Sequence, residues 1–96
     1  IYPEELEAVI NNVQYVVESL VIEDGGALTA LIYPDYAQGG LDGLAPEDVE
    51  KRLTEGLPEI NRMLPGYAQV KKIEFMAEDF ERTPKRNIKR YLYQRN

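Results

Sequence analysis

The chain has 96 residues, enough for one small hydrophobic core and too few for two. It contains no Cys and no His, which removes disulfide staples, thiolate nucleophiles, zinc sites and His-based catalytic triads. Its net charge of −6 argues against a general nucleic-acid binder, its apolar runs are too short to span a bilayer, and no signal peptide is visible. The lack of Cys fits a reducing cytoplasm. The chain begins at Ile1 rather than Met, so it is expected to be a piece of a larger protein.

Pro3 followed by Glu4 and Glu5 predicts a helix start, with acids at the positive end of the dipole. Leu6, Val9, Ile10 and Val13 recur at i, i+3, i+4 and i+7, the stripe of a helix lying on a core, and Asn11-Asn12 marks its end. Gln14 to Ile22 turns to a strand pattern. Val16, Leu20 and Ile22 share one face, and Tyr15, Val17, Ser19 and Val21 share the other. With apolar residues on both faces, this strand is expected to be central. Glu23-Asp24-Gly25-Gly26 predicts a hairpin turn through its Asp-Gly pair, with Ala27 to Tyr33 as the return strand.

Tyr36 to Ala45, with three glycines, reads as an exposed loop. Pro46, Glu47 and Asp48 open a second helix with Val49, Leu53, Leu57, Ile60 and Leu64 on its apolar face. Pro58 lacks an N–H and would clash with the carbonyl of Thr54, so this helix should kink or fall into two pieces. Val70 to Met76 is a third strand. The expected architecture over residues 1–96 is a single α+β domain in the order helix-strand-strand-helix-strand-helix. Its helices pack against a small three-stranded sheet made of one hairpin plus a third strand.

Charge is divided unevenly. Residues 82–96 hold Arg82, Lys85, Arg86, Lys89, Arg90 and Arg95 and no acid, whereas residues 1–81 carry five bases against seventeen acids. A basic cluster on an acidic body marks a place where phosphate or carboxylate can be held. Thr83 before Pro84, or Asn87 before Ile88, can cap a short last helix anchored by Ile88, Tyr91 and Leu92. Free backbone N–H groups and cationic side chains would then share one spot, which suits an anionic ligand. The plainer reading is a solvated helix whose positive charges complement its dipole. Glu47, Asp48 and Glu50 read as a solvated helix face rather than a metal site. Tyr67 is expected to pack where the chain turns into the third strand, and Tyr91 and Tyr93 to shield the sheet edge or a domain interface.

Three stretches form a set: Ile1-Tyr2-Pro3-Glu4-Glu5-Leu6-Glu7, Asn61-Arg62-Met63-Leu64-Pro65-Gly66-Tyr67, and Glu78-Asp79-Phe80-Glu81-Arg82-Thr83-Pro84 leading into Ile88-Lys89-Arg90-Tyr91-Leu92. In this order and spacing they resemble the C-terminal domain of the adenylate-forming enzymes, and most closely the long-chain fatty acid–CoA ligase (acyl-CoA synthetase) branch. The resemblance implies a mobile cap on a larger N-terminal adenylation domain that binds ATP, Mg²⁺ and the acyl substrate. A lysine of the C-terminal motif would serve adenylation. The cap would then rotate and present another face for acyl transfer to coenzyme A. The resemblance further implies a cytoplasmic enzyme, membrane-peripheral at most. The fragment itself should be inactive alone and hold none of these cofactors tightly.

The chain departs from the family pattern Thr-Pro-x-x-Lys-Ile-Lys-Arg at one position: the lysine before the isoleucine is Asn87. Asn carries no charge to set against a developing phosphate charge. Lys85 and Lys89 are the candidate substitutes, and Arg86 and Arg90 are candidate cofactor-binding residues. The alternative role for Asn87 is as cap of the last helix. The other class of function that the sequence leaves open is a free-standing interaction module whose basic tail binds an acidic partner.

Overall fold

The computed structural model describes residues 2–95. Three strands form one sheet in the order β1 (Val16–Asp24), β2 (Ala27–Pro34), β3 (Val70–Phe75). β1 and β2 are an antiparallel hairpin with Leu20 opposite Leu31, and β2 and β3 run parallel with Ala30 opposite Ile73. A parallel pair needs a long crossover, and three helices supply it: α2 (Tyr36–Leu41), α3 (Pro46–Glu55) and α4 (Leu57–Met63). With α1 (Pro3–Ile10) in front, the architecture is the α+β arrangement expected, its sheet mixed.

The central strand is β2 rather than β1. β1 is nevertheless covered on both faces, which is why it reads as central. Val21 joins the main core with Leu6, Ile10, Ala30, Ile32, Val49, Leu53, Ile60 and Val70. Leu20 and Ile22 face the other way, into a smaller core with Leu31 and Phe80. The helices cover the first face, and the C-terminal segment, through Phe80, Ile88 and Tyr93, covers the second. A register shift between Val16 and Glu18 puts Val16 against the main core, not with Leu20, and leaves Val17 exposed.

The hairpin turns on Gly25 and Gly26, with φ of 62° and 83°, between the paired residues Asp24 and Ala27. Two consecutive positive φ angles are what a two-residue turn of this twist requires, so Gly25-Gly26 rather than Asp24-Gly25 forms its centre. The predicted break at Pro58 is present: α3 ends at Glu55, Gly56 follows, and Pro58 lies in the first turn of α4.

Two expectations fail. Tyr36 to Leu41 is a helix, not a loop: the Asp35 carboxylate accepts from Gln38 N–H at 3.0 Å to cap it. A Cβ on Gly39 would overlap Val49 Cγ2, so glycine here allows α2 to lie close on α3. The last helix is present only as one 3₁₀ turn, Arg90–Leu92, and starts beyond both expected caps. Thr83 to Asn87 form a tight reversal in which Thr83 N–H donates to Asn87 O and Arg86 N–H to Thr83 O, both at 2.8 Å. Arg82 and Ile88 pair across it, Arg86 has a φ of 68°, and only a 3₁₀ turn at Arg90–Leu92 follows. A residue in the left-handed region ends any helical run. Neither Thr83 nor Asn87 therefore caps a helix.

Candidate functional site

The basic tail is a hairpin with two pinned limbs and a charged tip. On the entering limb, Arg82 donates to Glu18 Oε2 at 2.9 Å and lies 3.0 Å from Asp79 Oδ2. On the leaving limb, Arg90 makes a two-pronged bond to Glu7, with one guanidinium nitrogen 2.9 Å from Oε2 and the other on Oε1. Beyond it, Arg95 bonds both oxygens of Glu74, at 2.6 and 2.7 Å, and Asp24 at 3.0 Å. Forked guanidinium–carboxylate bonds of this kind are directional as well as strong.

These pairs move proton affinities in the expected sense. The Glu7 carboxylate raises the pKa of the Arg90 guanidinium against the opposing effect of burial. Asp79 foremost, with Glu18, does the same for Arg82. Arg95 holds Asp24 and Glu74 below the ordinary carboxylate range.

Three of the six tail cations are thus neutralised by acids of the body. Among the described residues, Lys85, Arg86 and Lys89 make no ion pair, and Lys85 and Arg86 are exposed. Asn87 stands beside them, exposed, with its backbone N–H on Thr83 Oγ1 at 3.3 Å. Arg86, Asn87 and Arg90 also line one open groove with Ile88, Glu4, Glu7 and Glu18, whereas Lys85 and Lys89 lie outside it. The tip offers an anion side-chain charge, but not the free helix-end N–H groups expected: those of Thr83, Arg86 and Asn87 are all bonded within the turn.

Nothing in the sequence singles out Glu7 and Glu18. Each looks like one more acid in an acidic chain, yet Glu7 is only 5% exposed and Ser19 is fully buried beside Glu18. Glu7 Oε2 also accepts from Val21 N–H at 2.8 Å, and Glu18 Oε1 accepts from Ser19 N–H at 3.1 Å and from Asn11 Nδ2 at 2.8 Å. Both carboxylates therefore cover the open edge of β1, which would otherwise present unpaired donors. The one signal in the sequence was the tail's need for counter-charge.

The aromatic expectations divide. Tyr93 packs edge-on against Phe80 at 5.1 Å between ring centres, and its hydroxyl accepts from Glu81 N–H. Tyr67 is 75% exposed, so it does not pack where the chain turns, and Tyr91 and Leu92 are exposed rather than anchoring. In the acidic helix face, Glu50 accepts from Tyr36 Oη and Asp48 from Ala45 N–H, local structural duties. Among the described residues no group of three acids could hold a metal ion, and no helix is long and apolar enough to cross a membrane.

No protein-family profile and no curated protein sequence matches the chain. Solved structures do. A benzoate CoA ligase from Burkholderia xenovorans LB400 matches 96% of this chain with a TM-score of 0.68 at 21% identity. An ATP-bound RpMatB-BxBclM chimera matches 95% with 0.67 at 24%, and a Mycobacterium tuberculosis fatty acyl CoA synthetase matches 95% with 0.62 at 24%. At these identities the likeness establishes a shared fold. The chain spans 18%, 17% and 16% of the length of those proteins, about one sixth.

Proposed function

We propose that this chain is the C-terminal domain of an acid–thiol ligase. The enzyme would join a carboxylic acid, a long-chain fatty acid on the motif resemblance, to coenzyme A through an acyl-adenylate. The observation that carries the reading is the likeness of the whole chain to one sixth of two named CoA-joining enzymes and an ATP-bound chimera. The three motif stretches, spaced along that same chain, support it independently.

In this reading Lys85, Arg86, Lys89 and the Asn87 position are the candidates to meet the phosphates of ATP. Unpaired ammonium and guanidinium groups stabilise phosphate charge by attraction and donated hydrogen bonds. The resemblance implies that Mg²⁺ and the acyl substrate are held by the larger domain. The domain's own work is to deliver cations to the reacting phosphate and to withdraw them for acyl transfer.

The test is acyl-CoA formation from a long-chain fatty acid, ATP and coenzyme A. The expected result is product from the complete polypeptide and none from residues 1–96 alone. Product from the 96-residue chain by itself would refute the reading. A second reading, a module that binds an acidic protein, draws on the same exposed Lys85 and Arg86. It predicts salt-sensitive binding to an acidic partner in a complete protein that makes no acyl-CoA.

A further inference from the structure

The hairpin that carries the cationic tip has little to hold it by itself. Across the reversal it makes one bridge, Arg82 with Ile88, and a few backbone bonds, among them Lys89 N–H to Glu81 O at 2.9 Å. A lone two-stranded hairpin of that kind is marginal in water. Ile88 packs on the smaller core, and each limb adds an ionic contact to the body, Arg82 on Glu18 and Arg90 on Glu7. Both carboxylates also have partners other than the arginines, because each accepts from an N–H of β1, Val21 for Glu7 and Ser19 for Glu18. Glu18 is held a second time by Asn11, whose own Oδ1 accepts from Ser19 Oγ at 2.7 Å.

We propose that Glu7 and Glu18 are the positioning residues of the cationic tip. They fix both limbs of the hairpin against the edge of β1, and with them the turn and limb that carry Lys85, Arg86 and Lys89. The inference rests on the ligase reading only for what the tip is presented to. The latch itself stands on the geometry. Removing one anchor leaves a hairpin free to pivot about the other, and small displacements of a charged group from a reacting centre are costly.

The experiment uses the double variant Glu7→Gln/Glu18→Gln in the complete protein. Glutamine keeps the shape and an oxygen for Val21 and Ser19 N–H, and removes the charge facing the arginines. Amide hydrogen exchange at Thr83 and Lys89 should quicken by about tenfold or more, as loss of a charge-assisted bond implies. Leu31 and Ile32, in the central strand, should keep their rates. Acyl-adenylate formation should slow by a similar factor, while thioester formation from pre-made adenylate holds. Leu53→Ala, which weakens the main core instead, should not quicken Thr83 and Lys89 selectively. Unchanged exchange at both tip amides would overturn the latch. Quickened exchange with an unchanged adenylation rate would overturn its positioning role. If the parent protein forms no adenylate, the ligase reading fails separately, and the exchange rates alone decide the latch.

Discussion

Asn87 is where the chemistry of one residue bears most on the proposed reaction. Its backbone helps close the reversal with Thr83, but it caps no helix and is exposed. Asn87→Lys should therefore leave stability within about 0.5 kcal/mol, as surface changes away from special features do. If the position is that of the family lysine, the added cation should speed adenylate formation. An ion-assisted contact aimed at developing charge can be worth about 3–4 kcal/mol, a few hundredfold in rate. Lys85→Ala tests whether a neighbour already does this work and should then slow adenylation alone. Rates of both half-reactions in the two variants decide it. An adenylation rate indifferent to both would move the site away from this turn. The departure at Asn87 was legible in the sequence, because it needs only the motif. Its local geometry was not: Thr-Pro followed by polar residues suits a helix start as well as a tight turn. Arg86 in the left-handed region decides for the turn, and nothing about arginine announces that.

The elements that periodicity announces are the ones present. α1, the hairpin, the broken α3–α4 pair and β3 all follow from apolar spacing and the placing of proline and glycine. α2 is not legible in the sequence because Gly39 and Gly40 look like loop residues, whereas Gly39 allows close packing against Val49. β1 was misplaced to the sheet centre because the tail, rather than another layer of the fold, covers its second face. That tail has too few apolar residues to show its packing role in sequence. Two substitutions check the helical layer. Leu53→Ala, fully inside the main core, should remove about 2–5 kcal/mol. Gly39→Ala should cost about 1–3 kcal/mol through overlap with Val49, where an ordinary helix would gain from alanine. Chemical denaturation measures both, and a stabilised Gly39→Ala would show that α2 and α3 are not in close contact.

Across the whole molecule, an acidic body and a basic tail are held together by ion pairs as well as by the small second core. Arg95 illustrates the pH consequence. It holds Asp24 and Glu74 below their ordinary pKa values, so its contribution is complete above their unfolded values, about 4 to 4.5. That contribution is lost as pH falls through the depressed folded values. Arg95→Gln should accordingly melt below the parent at pH 7, and the gap should close in acid as both carboxylates become protonated. A gap that persists in acid would mean that Arg95 acts through packing. Among the described residues the pairs leave Lys85, Arg86 and Lys89 as the tail's uncommitted charge, and the proposed role of the domain is to carry that charge to ATP. The most direct measurement is adenylate formation in the complete protein with Lys85, Arg86 and Lys89 all replaced by alanine, beside thioester formation from pre-made adenylate. Adenylation should fall by about a hundredfold, with thioester formation kept. Equal loss in both half-reactions, or none in either, would contradict the assignment of this tip to the first.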